Sequence, residues 1–404
     1  MRLLHTSDWH LGRMLYTKKE RSREHAAFLE WLLETIDKNS VDLLIIAGDV
    51  FDTASPGSTS QKMYYDFLVK VRNLGCNNVV IIGGNHDSPS FLNAPGGILS
   101  AMDVHVIGSA CENIEDEVIT ITGADNQPAA IVCAVPFLRE RDISRFTEKE
   151  SYDDRSKRIK DGIRNHYEAV AAIAEAKRDE AGGNIPVIAT GHLSVSGGKR
   201  YEDDGVRETY VGSIECIDSD IFPKTFDYVA LGHYHVPSVI SDRVRYCGSP
   251  IPMGFIEAGQ KKCVCLVDFE QNIPDIRNLE IPVFQRLESI SGDRETIGKR
   301  LSELKGSGES VWVEILYDGK DVFPDLTTWA NEMTADSNVE ILKIQNRMYL
   351  NEVLTQNEEI HSLDDLSKFD VFEKLLAKND IPQEQRTGLL ESYKEIIQEL
   401  EIDK

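Results

Sequence analysis

The sequence has no apolar stretch that approaches the ~20 residues a membrane-spanning helix needs. Its first residues, MRLLHTSDWH, lack the basic, apolar and small-residue succession of a signal peptide. No G-x-x-x-x-G-K-[ST] loop occurs, because SGGKR at 196–200 has the wrong spacing and no following Ser or Thr. We therefore expect a cytoplasmic chain with no membrane partner, and any ATP dependence has to come from another protein.

Positive charge is scarce, since 44 Lys and Arg against 68 Asp and Glu give a formal net charge of −24. Nucleic-acid binders normally carry a basic field, so this balance argues against unaided, non-specific binding to a polyanion. Local basic contacts are still compatible with it, although a solvated face is the ordinary interpretation of any single basic run. The basic segments are TKKERSR (17–23), RERD (139–142), DRSKRIK (154–160) and GGKRY (197–201).

Cysteine pairs are also missing: the seven cysteines contain no C-x-x-C motif. An odd number without such a motif indicates buried thiols in a reducing compartment. Cys263 and Cys265 fall on one side of a predicted strand, where we favour a core role over a metal or redox role.

The length of 404 residues predicts two or three folding units. Up to about residue 270, short apolar runs alternate with helical stretches, which indicates an α/β core with crossover helices on both faces of a sheet. Runs such as LLIIAG and VVIIGG are apolar without alternation, as expected of strands buried on both faces. We place the first domain at 1–275.

A second unit is predicted at 280–348, where helices near 294–304 and 325–334 separate three strands in a compact β-α-β-α-β pattern. The last segment, 360–404, is acidic and predicts two amphipathic helices, the first starting at a capping box formed by Ser362 and Asp365. These helices either dock on the chain's own core or bind a partner. The residues alone leave both open.

Metal-capable side chains follow five apolar runs. In open α/β sheets, ligands gather beyond the carboxyl ends of the strands, so these loops are expected to converge on one crevice. Within Asp8-x-His10 and His233-x-His235, the period of two places both side chains on one side of an extended segment. Glycines precede most clusters, where a close backbone approach has no room for a Cβ. The residues concerned are Asp8, His10, Asp49, Asp52, Asn85, His86, Asp87, His192, His233 and His235.

Seven of these residues, two aspartates, one asparagine and four histidines, make a donor set of oxygen and nitrogen without thiolate. Seven ligands suit two divalent ions ~3.5–4 Å apart that share a carboxylate, which we assign to Asp49. This donor set favours manganese, iron or zinc over magnesium or calcium. His86 is left over, and a histidine beside such a centre stabilises developing charge or protonates a leaving oxygen.

We expect Asp52 to hold the other ring nitrogen of His86, as carboxylates often do for working imidazoles. The whole set predicts a two-metal phosphoesterase, in which a metal-activated water attacks phosphorus. The other histidines match no cluster, and we assign them no function. They are His5, His25, His105, His166 and His361.

Five of the motifs, SDWHLG, GDVFD, GNHD, TGH and GHYH, together resemble the calcineurin-like metallophosphoesterase superfamily. Longer stretches narrow the resemblance to the SbcD family, bacterial nuclease subunits related to archaeal and eukaryotic double-strand-break repair nucleases. The resemblance is dense over roughly 1–270. Beyond 280 it rests mainly on the order of predicted strands and helices. These stretches are HTSDWHLGR, AGDVFDTASP, VPFLRERDI, VRETYVGSIE and RYCGSPIPMGF.

The resemblance implies a calcineurin-like β-sandwich flanked by helices, a small α+β capping domain at 280–348 and a C-terminal helical pair. It implies that one ion is held by Asp8, His10, Asp49 and His235, and the other by Asp49, Asn85, His192 and His233. His86 is then the catalytic histidine, and manganese is the implied metal.

The implied activity is that of a 3′ to 5′ exonuclease on double-stranded DNA ends and an endonuclease on single strands and hairpins. The implied roles are DNA repair, recombination and replication. The resemblance also implies a partner, an SbcC-type coiled-coil ATPase bound by the helices at 360–404. A homodimer within a heterotetramer is a further implication, with helices near 60–74 and 91–102 as interface elements.

Two other functions stay open on the sequence. A phosphoesterase for phosphoproteins or small phosphodiesters shares the dimetal chemistry, but phosphoprotein phosphatases carry Arg just after the second Asp of G-D-x-x-D, where this chain has Thr53. A non-enzymatic scaffold of the same fold is the other alternative, and the seven filled ligand positions argue against it.

Overall fold

The computed structural model of the chain describes residues 1–346 except 17–18, 144–150, 200–215, 320–322 and 324. The predicted C-terminal helices, with Ser362 and Asp365, lie outside the described residues, as does the VRETYVGSIE stretch.

The described residues form eight α-helices and three short 3-10 turns, at Ile114–Glu117, Ser219–Ile221 and Phe255–Glu257. The helices are α1 (Ser22–Asn39), α2 (Ser58–Asn73), α3 (Pro89–Asn93), α4 (Gly96–Ser100), α5 (Glu140–Ile143), α6 (Tyr152–Glu180), α7 (Arg294–Ser307) and α8 (Leu326–Thr334). In this part of the chain, no helix combines the length and the apolar character that crossing a membrane requires.

The strands of the described residues are numbered in chain order. They are β1 (Arg2–Thr6), β2 (Met14–Leu15), β3 (Lys19–Glu20), β4 (Leu43–Ala47), β5 (Asn78–Ile82), β6 (Val104–Ile107), β7 (Val118–Thr122), β8 (Pro128–Cys133), β9 (Val187–His192), β10 (Tyr228–Gly232), β11 (Ser238–Val239), β12 (Val244–Tyr246), β13 (Cys263–Glu270), β14 (Ile273–Glu280), β15 (Arg286–Gly292), β16 (Val311–Tyr317) and β17 (Val339–Asn346).

Two six-stranded sheets form the centre of the molecule, in the orders β14-β13-β1-β4-β5-β6 and β11-β12-β10-β9-β8-β7. Strands β1, β4, β5 and β6 run parallel, as do β8, β9, β10 and β12, and antiparallel strands complete the edges. The sheets pack face to face, because Leu43, Ile45 and Ala47 of β4 share a buried cluster with Val132 and Ala230 of the second sheet. The molecule is therefore a β-sandwich, as the resemblance implied.

Among the described residues, helices cover only the outer face of each sheet. Leu44 and Ile46 of β4 pack under Phe28 of α1 and Phe67 of α2, whereas Ile163 and Tyr167 of α6 cover the second sheet. The expectation from the apolar runs, helices on both faces of one sheet, is thus wrong. An unbroken apolar run shows that both faces are buried, but it does not show whether a helix or a second sheet buries them.

A three-stranded parallel sheet, β15-β16-β17, forms a separate cluster with α7 and α8. The helices predicted near 294–304 and 325–334 are present as α7 and α8. Because strands and helices alternate, the connectivity of this unit is α/β in detail rather than segregated α+β. It contacts the sandwich where Leu287, Trp312 and Leu342 pack on Leu15 and Phe255.

All seven cysteines lie among the described residues, and all are free thiols. Burial raises the pKa of Cys265 to about 12 and that of Cys263 to about 11, which disfavours the reactive thiolate. Cys265 packs in the cluster between the two sheets, in agreement with the core role.

Candidate metal centre

The predicted ligands come together at one edge of the sandwich, where parallel strands of both sheets end. Asp8 and His10 follow β1, Asp49 follows β4 and Asn85 follows β5, all from the first sheet. His192 ends β9, and His233 and His235 follow β10, from the second sheet. Six of the seven are buried, and Asn85 is partly exposed. The loops therefore converge as the sequence predicted.

The first group of donors contains Asp8, His10 and His235, whose ligand atoms lie within 4.8 Å of one another. The Nε2 atoms of His10 and His235 approach to 3.2 Å, and His10 Nε2 lies 3.6 Å from Asp49 Oδ2. Two imidazole nitrogens that face each other beside a carboxylate form a geometry that suits a shared cation.

The second group forms around the Asn85 side chain. Its Oδ1 lies 3.0 Å from His192 Nε2 and 3.2 Å from His233 Nδ1. His192 Nε2 also lies 3.3 Å from Asp49 Oδ2. Asp49 Oδ2 is thus the atom that the two groups have in common, and it is the position at which a shared carboxylate was expected.

Four of the seven residues have positive φ angles, which non-glycine residues rarely adopt: Asp8 at 53°, His10 at 46°, Asp49 at 49° and His233 at 102°. Each such conformation costs on the order of 1–3 kcal/mol and persists only where the surroundings hold it. Backbone bonds supply part of that restraint, since Asp8 N–H donates to Gly48 O and His10 N–H to Asp49 O, both at 3.0 Å.

Glycines make the close approach of the loops possible. A Cβ on Gly232 would lie 1.9 Å from the carbonyl oxygen of Ala47, in the other sheet. A Cβ on Gly84 would lie 2.2 Å from Asp49 Oδ1. Because real Cβ atoms do not come so close, Gly232 is needed for the two sheets to approach each other, and Gly84 is needed for its loop to pass the Asp49 carboxylate.

Charge is shared unevenly in the buried cluster. Burial lowers the pKa of His192, but the Asp49 carboxylate outweighs it and raises that pKa to about 9. Burial opposes ionisation of Asp49, yet His192, His10 and His86 hold its pKa well below the usual range. Burial lowers the pKa of His233 to about 3 and raises that of Asp8 to about 6. Since imidazole binds metals only when neutral, metal binding at such a cluster releases protons.

His86 lies beside both groups. Its ring centroid is 4.7 Å from that of His10, and one of its nitrogens lies within 4.8 Å of donor atoms of His10 and Asp49. Its backbone N–H donates to Asp49 Oδ1 at 2.8 Å. The ring Nδ1 lies 2.9 Å from the backbone carbonyl oxygen of Asp52, so Nδ1 carries a proton and donates a hydrogen bond to that oxygen.

The expected pairing of the Asp52 carboxylate with His86 needs correction. Its Oδ1 lies 3.3 Å from His10 Nδ1 and 3.1 Å from Arg13 Nη1, while the contact with His86 comes from the Asp52 carbonyl. Burial works against ionisation, but the His10 and Arg13 contacts lower the pKa of Asp52 to about 2. Asp52 is therefore an anion that pairs with Arg13 and lies against His10. The spacing in GDVFD does not reveal which of two neighbouring imidazoles its side chain reaches.

Asp87 contributes to the site in a way that the sequence did not predict. Its carboxylate accepts backbone N–H bonds from Val50 at 3.1 Å, Phe51 at 3.0 Å and Gly84 at 2.9 Å. It thereby ties the loop after β4 to the loop after β5, the two loops that carry Asp49 and Asn85. Its place in GGNHD was the available signal. Ser7, which donates to the Asp8 carboxylate, was missed as well.

Of the histidines without an assigned function, the four that the structure describes lie outside both donor groups. His5 Nδ1 lies 2.9 Å from the Tyr228 hydroxyl, and His166 Nε2 lies 2.7 Å from the Glu117 carboxylate. His25 is fully buried, and burial lowers its pKa to about 3. His105 lies on β6, and His361 lies outside the described residues.

Two of the basic segments, RERD (139–142) and DRSKRIK (154–160), are joined by ion pairs. Glu140 binds Arg155 Nε at 3.2 Å and Arg158 Nη2 at 2.9 Å, which joins RERD to the start of α6. The loop before RERD is tied to the site, because Phe137 N–H donates to Gly83 O at 2.8 Å. The other two segments lie partly outside the described residues.

A family model described as calcineurin-like phosphoesterase matches residues 1–237, and one described as type 5 capsule protein repressor C-terminal domain matches 283–380. The sandwich and its cluster of buried aspartates and histidines thus define a calcineurin-like phosphoesterase with a divalent-metal site. Among curated proteins, the SbcD subunit of the SbcCD nuclease of Escherichia coli K12 is 35% identical over 394 residues, 96% of each chain. The SbcD subunits of Rhodobacter capsulatus and Bacillus subtilis are 34% and 32% identical, and each match covers 66% of both chains. This chain belongs to the SbcD family.

We predict that Gly84→Ala disrupts the metal centre, because the added methyl group overlaps Asp49 Oδ1. Manganese binding should weaken by at least ~10-fold, the effect expected when the support of a ligand is disturbed. Gly57→Ala is the matched control, since Gly57 has nothing within 4 Å of an added Cβ. Metal content after equilibrium dialysis checks this, with circular dichroism to compare folding. Equal metal content in both variants would contradict the expected overlap between the added methyl group and the Asp49 carboxylate.

Proposed function

We propose that the chain is the nuclease subunit of an SbcCD-type complex, a metal-dependent phosphodiester hydrolase that acts on DNA. The observation that carries this proposal is the Asp49 carboxylate, shared between two groups of buried oxygen and imidazole donors. Two divalent ions bound there would activate a water molecule as the nucleophile and clamp the phosphate oxygens. The nuclease activity for which the relatives are named agrees with this chemistry.

We assign one ion to Asp8, His10, Asp49 and His235, and the other to Asp49, Asn85, His192 and His233. The donors fit divalent ions, since the facing nitrogens of His10 and His235 have a carboxylate beside them and Asn85 offers its oxygen to two further imidazoles. The oxygen and nitrogen donors, without any thiolate, favour manganese among the available metals. Asp52 and Arg13 keep His10 in orientation.

His86 is the proposed catalytic histidine. The Asp52 carbonyl accepts a hydrogen bond from Nδ1–H, and this bond fixes the ring. Nε2 is then the nitrogen that would exchange a proton with the substrate. In its charged form, the ring would stabilise the negative charge that develops on the phosphate oxygens or protonate the leaving oxygen.

DNA is the proposed substrate, with the exonuclease and endonuclease activities that the resemblance implied. The net charge of −24 disfavours tight DNA binding by this chain alone, so partner chains should share the contact with DNA. Phosphoprotein phosphatases need a cation after the second Asp of G-D-x-x-D, and here Thr53 donates its hydroxyl to the Ser55 carbonyl at 3.3 Å. This local arrangement supports a diester substrate over a phosphoprotein.

We further propose that residues 1–275 form the nuclease domain, 280–348 the capping domain and 360–404 the helices that bind a coiled-coil ATPase of the SbcC type. The sequence has no nucleotide-binding loop of its own, which supports a separate ATPase. The proposed assembly is a homodimer of this chain within a heterotetramer. Because a DNA-processing enzyme acts where the DNA lies, the cytoplasm is its proposed compartment.

The activity is tested with the purified chain on end-labelled linear and hairpin DNA in the presence of manganese, magnesium or zinc. We expect manganese-dependent cleavage, with linear duplexes shortened from their 3′ ends. Each metal is also tried with the ATPase partner and ATP. Hydrolysis of a small phosphodiester without DNA cleavage under any of these conditions would favour the small-substrate alternative.

The roles of Asp49 and His86 should separate in two variants. Asp49→Ala should lose both metal binding and activity, because it removes the ligand common to both donor groups. His86→Ala should keep two ions and lose about 10²–10⁴-fold in turnover, the range of one general acid or base. Metal analysis beside single-turnover DNA cleavage measures both, and an equal loss of metal in the two variants would contradict the assignment.

The terminal helices are tested by Ile396→Glu combined with Leu400→Glu, which places charge on their predicted apolar seam. We expect this variant to lose co-purification with the ATPase partner while it retains manganese-dependent hydrolysis of a small phosphodiester. Glu399→Gln is a control on the same segment that leaves the seam apolar. Unchanged co-purification of the doubly charged variant would refute the proposed role of 360–404.

A further inference from the structure

A buried ion pair, Glu257 and Lys262, lies next to His235. Glu257 is completely buried, and Lys262 is 4% exposed. Lys262 Nζ donates to the backbone carbonyl of His235 at 2.9 Å, to Ser249 Oγ at 3.2 Å and to the Glu257 carboxylate. Ser249 N–H donates to the same His235 carbonyl at 3.1 Å. The backbone carbonyl of His235 is thus held by hydrogen bonds from both Lys262 and Ser249.

The two ring nitrogens of His235 face different partners. Nε2 points at His10, 3.2 Å from its Nε2, whereas Nδ1 lies 4.0 Å from Glu257 Oε1. The other oxygen of Glu257 already accepts from Lys262 and from the Met253 N–H at 2.9 Å. Within the described part of the chain, Oε1 has no hydrogen-bond partner. A buried carboxylate oxygen without a donor is costly, so this arrangement calls for an explanation.

We propose that Glu257 and Lys262 are positioning residues that hold His235 in the orientation and tautomer that metal binding requires. This inference rests on the proposed metal centre. When a histidine binds a metal through Nε2, its Nδ1 carries a proton and usually donates it to a carboxylate or carbonyl group. Glu257 Oε1, 4.0 Å from Nδ1, is a carboxylate oxygen on that side of the ring. A hydrogen bond between the two atoms would require this separation to shorten to about 2.7–3.2 Å when the metal binds.

Lys262 makes the buried carboxylate tolerable, because an uncompensated buried charge would be strongly destabilising. The backbone carbonyl of Lys262 also accepts the Ile281 N–H at 2.8 Å, where the chain leaves β14 for the capping unit. One residue therefore restrains both the backbone of His235 and the start of the connection to 283–346. The pair acts on the substrate only through His235.

Arg21 and Glu24 provide a matched control. They form a second buried ion pair nearby, with Arg21 donating to the Glu24 carboxylate at 2.8 and 2.6 Å and also to the Pro252 carbonyl. Both residues are buried to a similar degree as Glu257 and Lys262. These contacts of the second pair do not include His235. A general effect of neutralising a buried carboxylate should therefore be the same in both pairs.

The test compares Glu257→Gln and Glu24→Gln by manganese titration, followed by electron paramagnetic resonance of free and bound ion, with no DNA present. We expect Glu257→Gln to lower the affinity for one of the two ions by about 10–100-fold and to leave the affinity for the other unchanged. Glu24→Gln should bind both ions as the wild type does. The melting temperature of each metal-free variant shows how much of any loss is structural.

If Glu257→Gln melts far below the wild type, the double variant Glu257→Gln with Lys262→Met replaces it, because it removes both buried charges together. The same selective loss of one ion is expected. Wild-type binding of both ions by a folded variant, or equal losses in the Glu257 and Glu24 variants, would overturn the positioning role. A wild type that binds no pair of ions would instead contradict the proposed function, and this inference with it.

Discussion

The structure depends above all on one carboxylate, that of Asp49, held between imidazoles contributed by two different sheets. Its Oδ2 lies 3.6 Å from His10, which follows β1 of the first sheet, and 3.3 Å from His192 at the end of β9 of the second. This contact is possible only because the sheets pack face to face with their parallel strands ending at the same edge. Gly84 and Gly232 leave space for it, and Asp87 binds the neighbouring loops into one piece.

Such a cluster costs folding energy, since it buries two aspartates and four histidines and keeps four of the residues at positive φ angles. The cost is offset by the rigid surroundings: apolar residues fill the space between the sheets, and helices cover both outer faces. Binding of divalent ions would convert the mutual repulsion of Asp8 and Asp49 into attraction to a common cation. Strain and buried charge are therefore concentrated where metal binding can offset them.

Much of the site was predictable from the sequence, and the reason is geometric. Residues that directly follow neighbouring parallel strands meet at one edge of a sheet, so Asp8, Asp49 and Asn85 of the first sheet are brought together by strand order. His192 joins them only because the second sheet packs against the first. The sandwich was not predictable from the apolar runs, because burial of both faces does not identify the covering layer. The partner of the Asp52 carboxylate also escaped prediction, since His10 and His86 are both within its reach. The roles of Glu257 and Lys262 were not predicted either, because their contacts with His235 join residues that are distant in sequence and belong to no local motif.

The arrangement of two ions about Asp49 is tested most directly by crystals grown with manganese and measured at the manganese absorption edge. An anomalous difference map should show two peaks about 3.5–4 Å apart, with Asp49 bound to both. Asp8, His10 and His235 should surround one peak, and Asn85, His192 and His233 the other. A single peak, or two peaks that leave either group of donors unbound, would contradict the shared-carboxylate centre.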